Sequence, residues 1–148
     1  MATVQNPFYT PRDKVRSTKK KGRLDLEARL QQQVVRYVRY QYPKIMFKCD
    51  LNGVHLTIAQ YTKLKALGNT KGHPDLVFYE ARHGYNGLFI ELKIDKTRLF
   101  SSTGNPVTEH IREQNAYLEE LRQRGYKAEF AVGFAQAKEI IDEYLKLS

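Results

Sequence analysis

Residues 71–93 read KGHPDLVFYEARHGYNGLFIELK. Two stretches of strand character, 75–80 and 87–94, flank the turn formers of RHGYNG at 82–87. Alternation along the second stretch puts Leu88, Ile90, Leu92 and Ile94 on one face and Phe89, Glu91 and Lys93 on the other. Asp75, Val77 and Tyr79 share a face of the first. If the two strands pair antiparallel about His83 or Gly84, partner numbers sum to 166 or 168, and Asp75 lies across from Glu91 or Lys93. Charged residues on the outer face of a hairpin are ordinary. Two carboxylates about 4 Å apart, however, repel by roughly 4 kcal/mol at an effective dielectric of about 20, and a divalent ion relieves that. Oxygen ligands favour Mg2+ or Mn2+ over zinc, while Lys93 alone offsets part of the repulsion.

Outward from this hairpin, the chain reads as an α/β protein. Leu26, Leu30, Val34 and Val38 recur every four positions from Leu24 to about Gln41, with Val35 widening the stripe and Pro43 closing it, which predicts an amphipathic helix. Residues 45–58 alternate loosely around Asn52-Gly53, a hairpin-turn dipeptide, and suggest one or two short strands. Residues 59–68 hold a helical turn or two ended by Gly68. A helix capped by Thr108 follows, then a strand over 127–134 and a closing helix with Ala137, Ile140, Ile141, Tyr144 and Leu145 on one face. A strand joined to a later strand through a helix implies a parallel pair, so the expected fold is a central mixed sheet flanked by helices, in the order α-β-β-β-α-β-α.

Composition narrows the partners. The chain has 148 residues, 41% hydrophobic and 28% charged, with a net charge of +9. No apolar run approaches the roughly 20 residues needed to span a bilayer, and no signal-peptide pattern opens the chain, so an intracellular, cytoplasmic protein without a membrane partner is expected. Cys49 is the single cysteine and reads as a small hydrophobe; the four histidines lack ligand spacing. Residues 1–23 carry seven basic side chains against Asp13, leaving 18 basic and 15 acidic for the rest. Residues 1–22 are therefore expected to be a basic arm without a fold of its own, which follows a polyanion or keeps the protein soluble, and residues 23–148 the folded domain.

HPDL (73–76) followed by IELK (90–93) resembles the P-D...(D/E)-x-K signature of the restriction-endonuclease-like nucleases. Leu26-Glu27 with Gln31 one turn later, Asn52-Gly53, YTKLKALGNTKGHPDL, GLFIELK, Gln114 and the stretch 118–145 together resemble the VRR-NUC branch of that superfamily over roughly residues 24–146. The resemblance implies a restriction-endonuclease-like core and a Mg2+- or Mn2+-dependent endodeoxyribonuclease. It further implies action on branched or structured DNA, in some members as a homodimer like a Holliday-junction resolvase. A monomeric nicking or flap nuclease, or a non-catalytic DNA-binding module of the same fold, are the alternatives.

By position, the resemblance assigns the metal to Asp75, Glu91 and the backbone carbonyl of Leu92, with Glu27 completing the acidic cluster directly or through a water. Lys93 would orient or help deprotonate the attacking water. Gln114, polar on the apolar stripe between Ile111 and Leu118, would face Lys93 or the scissile phosphate, unless it merely edges the stripe. The plain alternative for Glu27 is a favourable charge near a helix N-terminus. DNA-backbone contacts are expected from Lys19, Lys20 and Lys21 in the arm and from Lys63, Lys65 and Lys71. Lys96 and Arg98 would add contacts from a long loop after Lys93 with a flexible SSTGNP centre. His73, in place of an apolar residue, either contacts phosphate or packs, and packing is the expectation.

Overall fold

The computed structural model describes residues 11–50, 56–69 and 72–146, with side chains from residue 22 onward. The element order is α1 (Pro11–Gln41), β1 (Phe47–Cys49), α2 (Ile58–Ala66), β2 (Leu76–Phe78), β3 (Leu88–Lys93), α3 (Glu109–Gln123), β4 (Lys127–Val132) and α4 (Gly133–Leu145). The four strands form one mixed sheet in the order β1-β2-β3-β4. β1 and β2, and β2 and β3, pair antiparallel; β3 and β4 pair parallel across the α3 crossover. The expected α/β fold holds, with α2 as an added element.

Two apolar clusters fill the two faces. On one, Leu30, Val34 and Val38 of α1 and Ala137, Ile140, Ile141, Tyr144 and Leu145 of α4 cover Leu76, Phe78, Leu88, Ile90 and Leu92. On the other, Ile111 and Leu118 of α3 meet Ala128 and Phe130, with Phe89, Leu99 and Phe100 packed alongside. Strand β3 is thus buried on both faces, and only its second face admits charge. Between α1 and α4, Asp142 accepts hydrogen bonds from the Tyr37 and Tyr42 hydroxyls at 2.5 and 2.6 Å and from Lys138 Nζ at 2.7 Å. Burial works to raise the Asp142 carboxyl, but these donors outweigh it and hold the group down at about 2. Tyr37 and Tyr42 therefore belong to the helix interface, whereas Tyr40 is exposed.

Several boundaries differ from expectation. Helix α1 begins at Pro11 rather than Leu24, so the basic segment from Pro11 onward is helical in backbone. Lys and Arg are good helix formers, and proline suits a first helical turn, so no apolar stripe is needed there. Residues 59–68 do form a helix, fixed at its start by a capping box between Thr57 and Gln60. The SSTGNP segment is no flexible link. Phe100 and Pro106 bridge as in a hairpin, and Ser101 N–H donates to Asn105 O at 2.8 Å and Val107 N–H to Leu99 O at 3.0 Å. The Asn52-Gly53 dipeptide, Lys71 and residues 1–10 of the basic arm lie outside the described residues.

Candidate active site

The β2–β3 hairpin turns at His83 and Gly84, with φ of 52° and 81°, and is closed by the mutual backbone hydrogen bonds of Arg82 and Tyr85. Two consecutive residues at positive φ are what the right-handed strand twist favours in a two-residue connection. The turn-closing pair Arg82 and Tyr85 sums to 167, and the strands settle one residue out of step with it, pairing Leu76 with Ile90, Val77 with Phe89 and Phe78 with Leu88 in a register that sums to 166. Carried one residue further, it sets Asp75 opposite Glu91. All three charged residues, Asp75, Glu91 and Lys93, are buried, at 5%, 3% and 8% exposure.

The Asp75 carboxylate is held from both sides. Its Oδ2 accepts the Leu92 N–H at 2.7 Å, and its Oδ1 accepts Gln31 Nε2 from α1 at 3.2 Å. Glu91 Oε1 accepts Lys93 Nζ at 3.0 Å and also the side-chain amide of Gln114 from α3. Gln114 therefore addresses Glu91, beside Lys93 on the same oxygen, rather than Lys93 itself. Glu91 Oε2 and Gln114 Oε1 are buried with no protein partner. Burial, then the charge of Asp75, push the Glu91 carboxyl up to about 8, against the opposing pull of Lys93.

These groups line one cleft of about 690 Å³, together with Glu27, Gln31, Arg98 and His110. Glu27 stands several turns inside α1, which removes the helix-terminus explanation for it, and it pairs with Arg23 at 3.1 Å. Among the described residues, no three His, Cys, Asp or Glu side chains gather closely enough to hold a metal by themselves. Glu27 thus does not complete a direct carboxylate trio; its charge reaches Glu91 only at longer range. His73 packs edge-on against the Phe89 and Tyr117 rings, as expected. Lys63, Lys65 and Lys96 are exposed but stand outside the cleft. The side chains of Lys19, Lys20 and Lys21, like Lys71, lie outside the described residues.

Gln31 is the site residue that sequence reasoning left without a role. Its only local signal is its place one turn after Glu27, and the contact with Asp75 spans 44 positions. Replacing it with leucine is expected to leave the fold intact and, where Asp75 serves as a ligand to a divalent ion, to weaken that binding roughly ten- to a hundredfold, the usual cost of losing a residue that orients a ligand. Titration of the thermal unfolding midpoint with Mg2+ reads this directly.

No family model and no curated protein matches the chain. Among solved structures it is similar to one described as a "VRR_NUC domain protein", with 29% sequence identity, a TM-score of 0.52, and coverage of 80% of this chain and 90% of that one. The mixed four-stranded sheet flanked by helices, the placement of Asp75 opposite Glu91 with Lys93 beside it, and this likeness agree: the fold is of the restriction-endonuclease-like type and is similar to that of a VRR-NUC domain.

Proposed function

We propose that this chain is a Mg2+- or Mn2+-dependent DNA endonuclease acting on branched or structured DNA. The observation that carries the reading is Glu91: a buried carboxyl paired in register with Asp75, raised to about 8, with one oxygen lacking any protein partner. A second negative charge at that position is costly in the protein alone, and a cation removes the cost. The likeness to a VRR_NUC domain protein supports a nuclease-type domain.

Asp75 and Glu91 would hold the ion, and both offer oxygen. In a strand, the N–H and C=O of one residue point to the same side. The Leu92 N–H faces the Asp75 carboxylate, so its carbonyl faces that side too and suits a third ligand. Magnesium commonly uses one or two carboxylates and takes its other ligands from water and substrate phosphate, which fits a site with two acids. When bound, the ion supplies Lewis acidity and a water acidified toward neutral pH.

The protein supplies position. Gln31 and the Leu92 N–H fix Asp75, Gln114 fixes Glu91, and Lys93 brings a positive charge to where the phosphate gains negative charge. Arg98 and Arg23 line the same cleft and suit phosphate contacts. Labelled junctions, flaps, duplexes and single strands incubated with Mg2+ test the reading. Cutting is expected with magnesium and absent with calcium or chelator; DNA that is bound but never cut would make this a binding module. A resolvase needs two active sites in fixed relation, so a homodimer is expected for junction cleavage and a monomer for nicking or flap removal.

A further inference from the structure

Helix α2 packs only lightly among the described residues, with Leu64 half-buried. None of its nine residues, IAQYTKLKA, is buried. Ile58, Tyr61 and Leu67 at its C-cap are 88%, 56% and 74% exposed. Isolated helices shorter than about 12 residues are marginal in water, and helices in proteins draw most of their stability from a packed face. A capping box and the Thr62 hydroxyl bonded to Ile58 O at 2.9 Å hold the ends and little else. Among the described residues, nothing covers its apolar side chains Ile58 and Leu67.

Charge decides what would. Helix α2 carries Lys63 and Lys65 and no acidic residue, on a chain of net charge +9. A second copy would set two basic helices of two basic proteins against each other, whereas a polyanion is complementary. Position decides where. Tyr61, alone among the residues of α2, lines the cleft that holds Asp75, Glu91 and Lys93. An exposed tyrosine ring on a helix that also carries exposed lysines is the composition of a nucleic-acid stacking platform, in which cations track the backbone and the ring takes a base face.

Resting on the nuclease reading above, we infer that α2 is a substrate clamp whose Tyr61 stacks on an unpaired base at the cleft mouth, making it the element that selects branched or flapped DNA over uniform duplex. In a continuous duplex every base face is already stacked, so the ring gains nothing there. At a flap, junction or frayed end a base is free, and the stacking adds to phosphate contacts from Lys63 and Lys65.

Two DNAs of equal length separate the possibilities: a perfect duplex and a duplex with a single-stranded flap carrying 2-aminopurine at the first unpaired position. Affinities are measured by anisotropy in calcium for the parent, Tyr61→Ala, Tyr61→Phe and Lys63→Ala/Lys65→Ala. The parent is expected to prefer the flap and to quench 2-aminopurine. Tyr61→Ala should lose roughly tenfold or more on the flap, within the range that base–aromatic stacking supports, with the duplex unchanged and the quench gone. Tyr61→Phe should behave as the parent, and the double lysine variant should weaken both DNAs alike. Equal loss on both DNAs, or none, in Tyr61→Ala overturns the stacking role. A parent dimer that becomes monomeric in Ile58→Glu also overturns it, by placing a second copy on α2. If the parent cuts flapped DNA with Mg2+ while Tyr61→Ala keeps the same flap-to-duplex ratio, only the clamp fails. A parent that neither binds nor cuts any DNA overturns the nuclease reading as well.

Discussion

Asp75→Asn is expected to abolish Mg2+-dependent DNA cleavage, and Lys93→Ala to lower its rate roughly a hundred- to a thousandfold, the scale of removing one charge-stabilising donor. The two losses have different origins. Asparagine keeps the shape of Asp75 and an acceptor for the Leu92 N–H but brings no negative charge to the cation. Alanine at position 93 removes the ammonium that lies 3.0 Å from Glu91 Oε1, which takes positive charge from the phosphate and also pushes the Glu91 carboxyl further toward its neutral form. Both side chains are buried at the floor of the cleft and away from the exposed lysines of α2, so DNA binding in calcium should persist. Gel shift and cleavage on one labelled substrate, with thermal unfolding as the folding control, measure both. Variants that cut like the parent would remove the assigned site.

A second large effect concerns stability without metal. The Glu91 carboxyl stands at about 8 in the folded chain against an ordinary 4.5. Between those values the folded state keeps a proton that the unfolded state has released, so the native protein binds more protons and stability falls as pH rises. The contribution is fully present below about pH 4.5 and is lost by the time pH passes the folded value. At about 1.4 kcal/mol per unit, the loss is on the order of a few kcal/mol. Chelator-treated parent is therefore expected to unfold at progressively lower denaturant from pH 5 to pH 8, and Glu91→Gln to show a much flatter profile. At pH 8 the glutamine variant should be the more stable of the two until Mg2+ is added, which should rescue the parent alone. Parallel profiles for the two proteins would sink the idea.

The core of the site could be read in the sequence because it depends on two local rules. Strand alternation put Glu91 and Lys93 on one face, and a hairpin centred on His83 gives the sum of 166 that the strands adopt, although the turn itself closes between Arg82 and Tyr85 one residue out of step. The remaining site residues depend on long-range contacts. Nothing local distinguishes Gln31 from any exposed glutamine on α1 until α1 packs over β2 and β3. Gln114 was suspect for interrupting an apolar stripe, but its partner is fixed only when α3 crosses over Glu91. Helix α2 has no apolar stripe to follow; Gly68 marks its end, and the Thr57-x-x-Gln60 capping box marks its start. The helical backbone from Pro11 onward had no local signal, since a polar run without periodicity shows no helix stripe even where helix propensity is ample. The closed hairpin at 100–106 rests on Ser101, Thr103 and Asn105 bonding one another, a pattern indistinguishable by composition from a loose linker.

The two faces of the sheet share the labour unequally. Fourteen buried residues cohere on the side of α1 and α4, and four on the side of α3, where Glu91 and Gln114 also sit. Most of the cohesion thereby lies on the face opposite Glu91 and Gln114, although α1 serves both sides by reaching Asp75 with Gln31. Sequence drift on the thin side can retune or extinguish the chemistry while the thick side keeps the chain folded, so descendants of this architecture are free to become inert scaffolds without first becoming unstable ones.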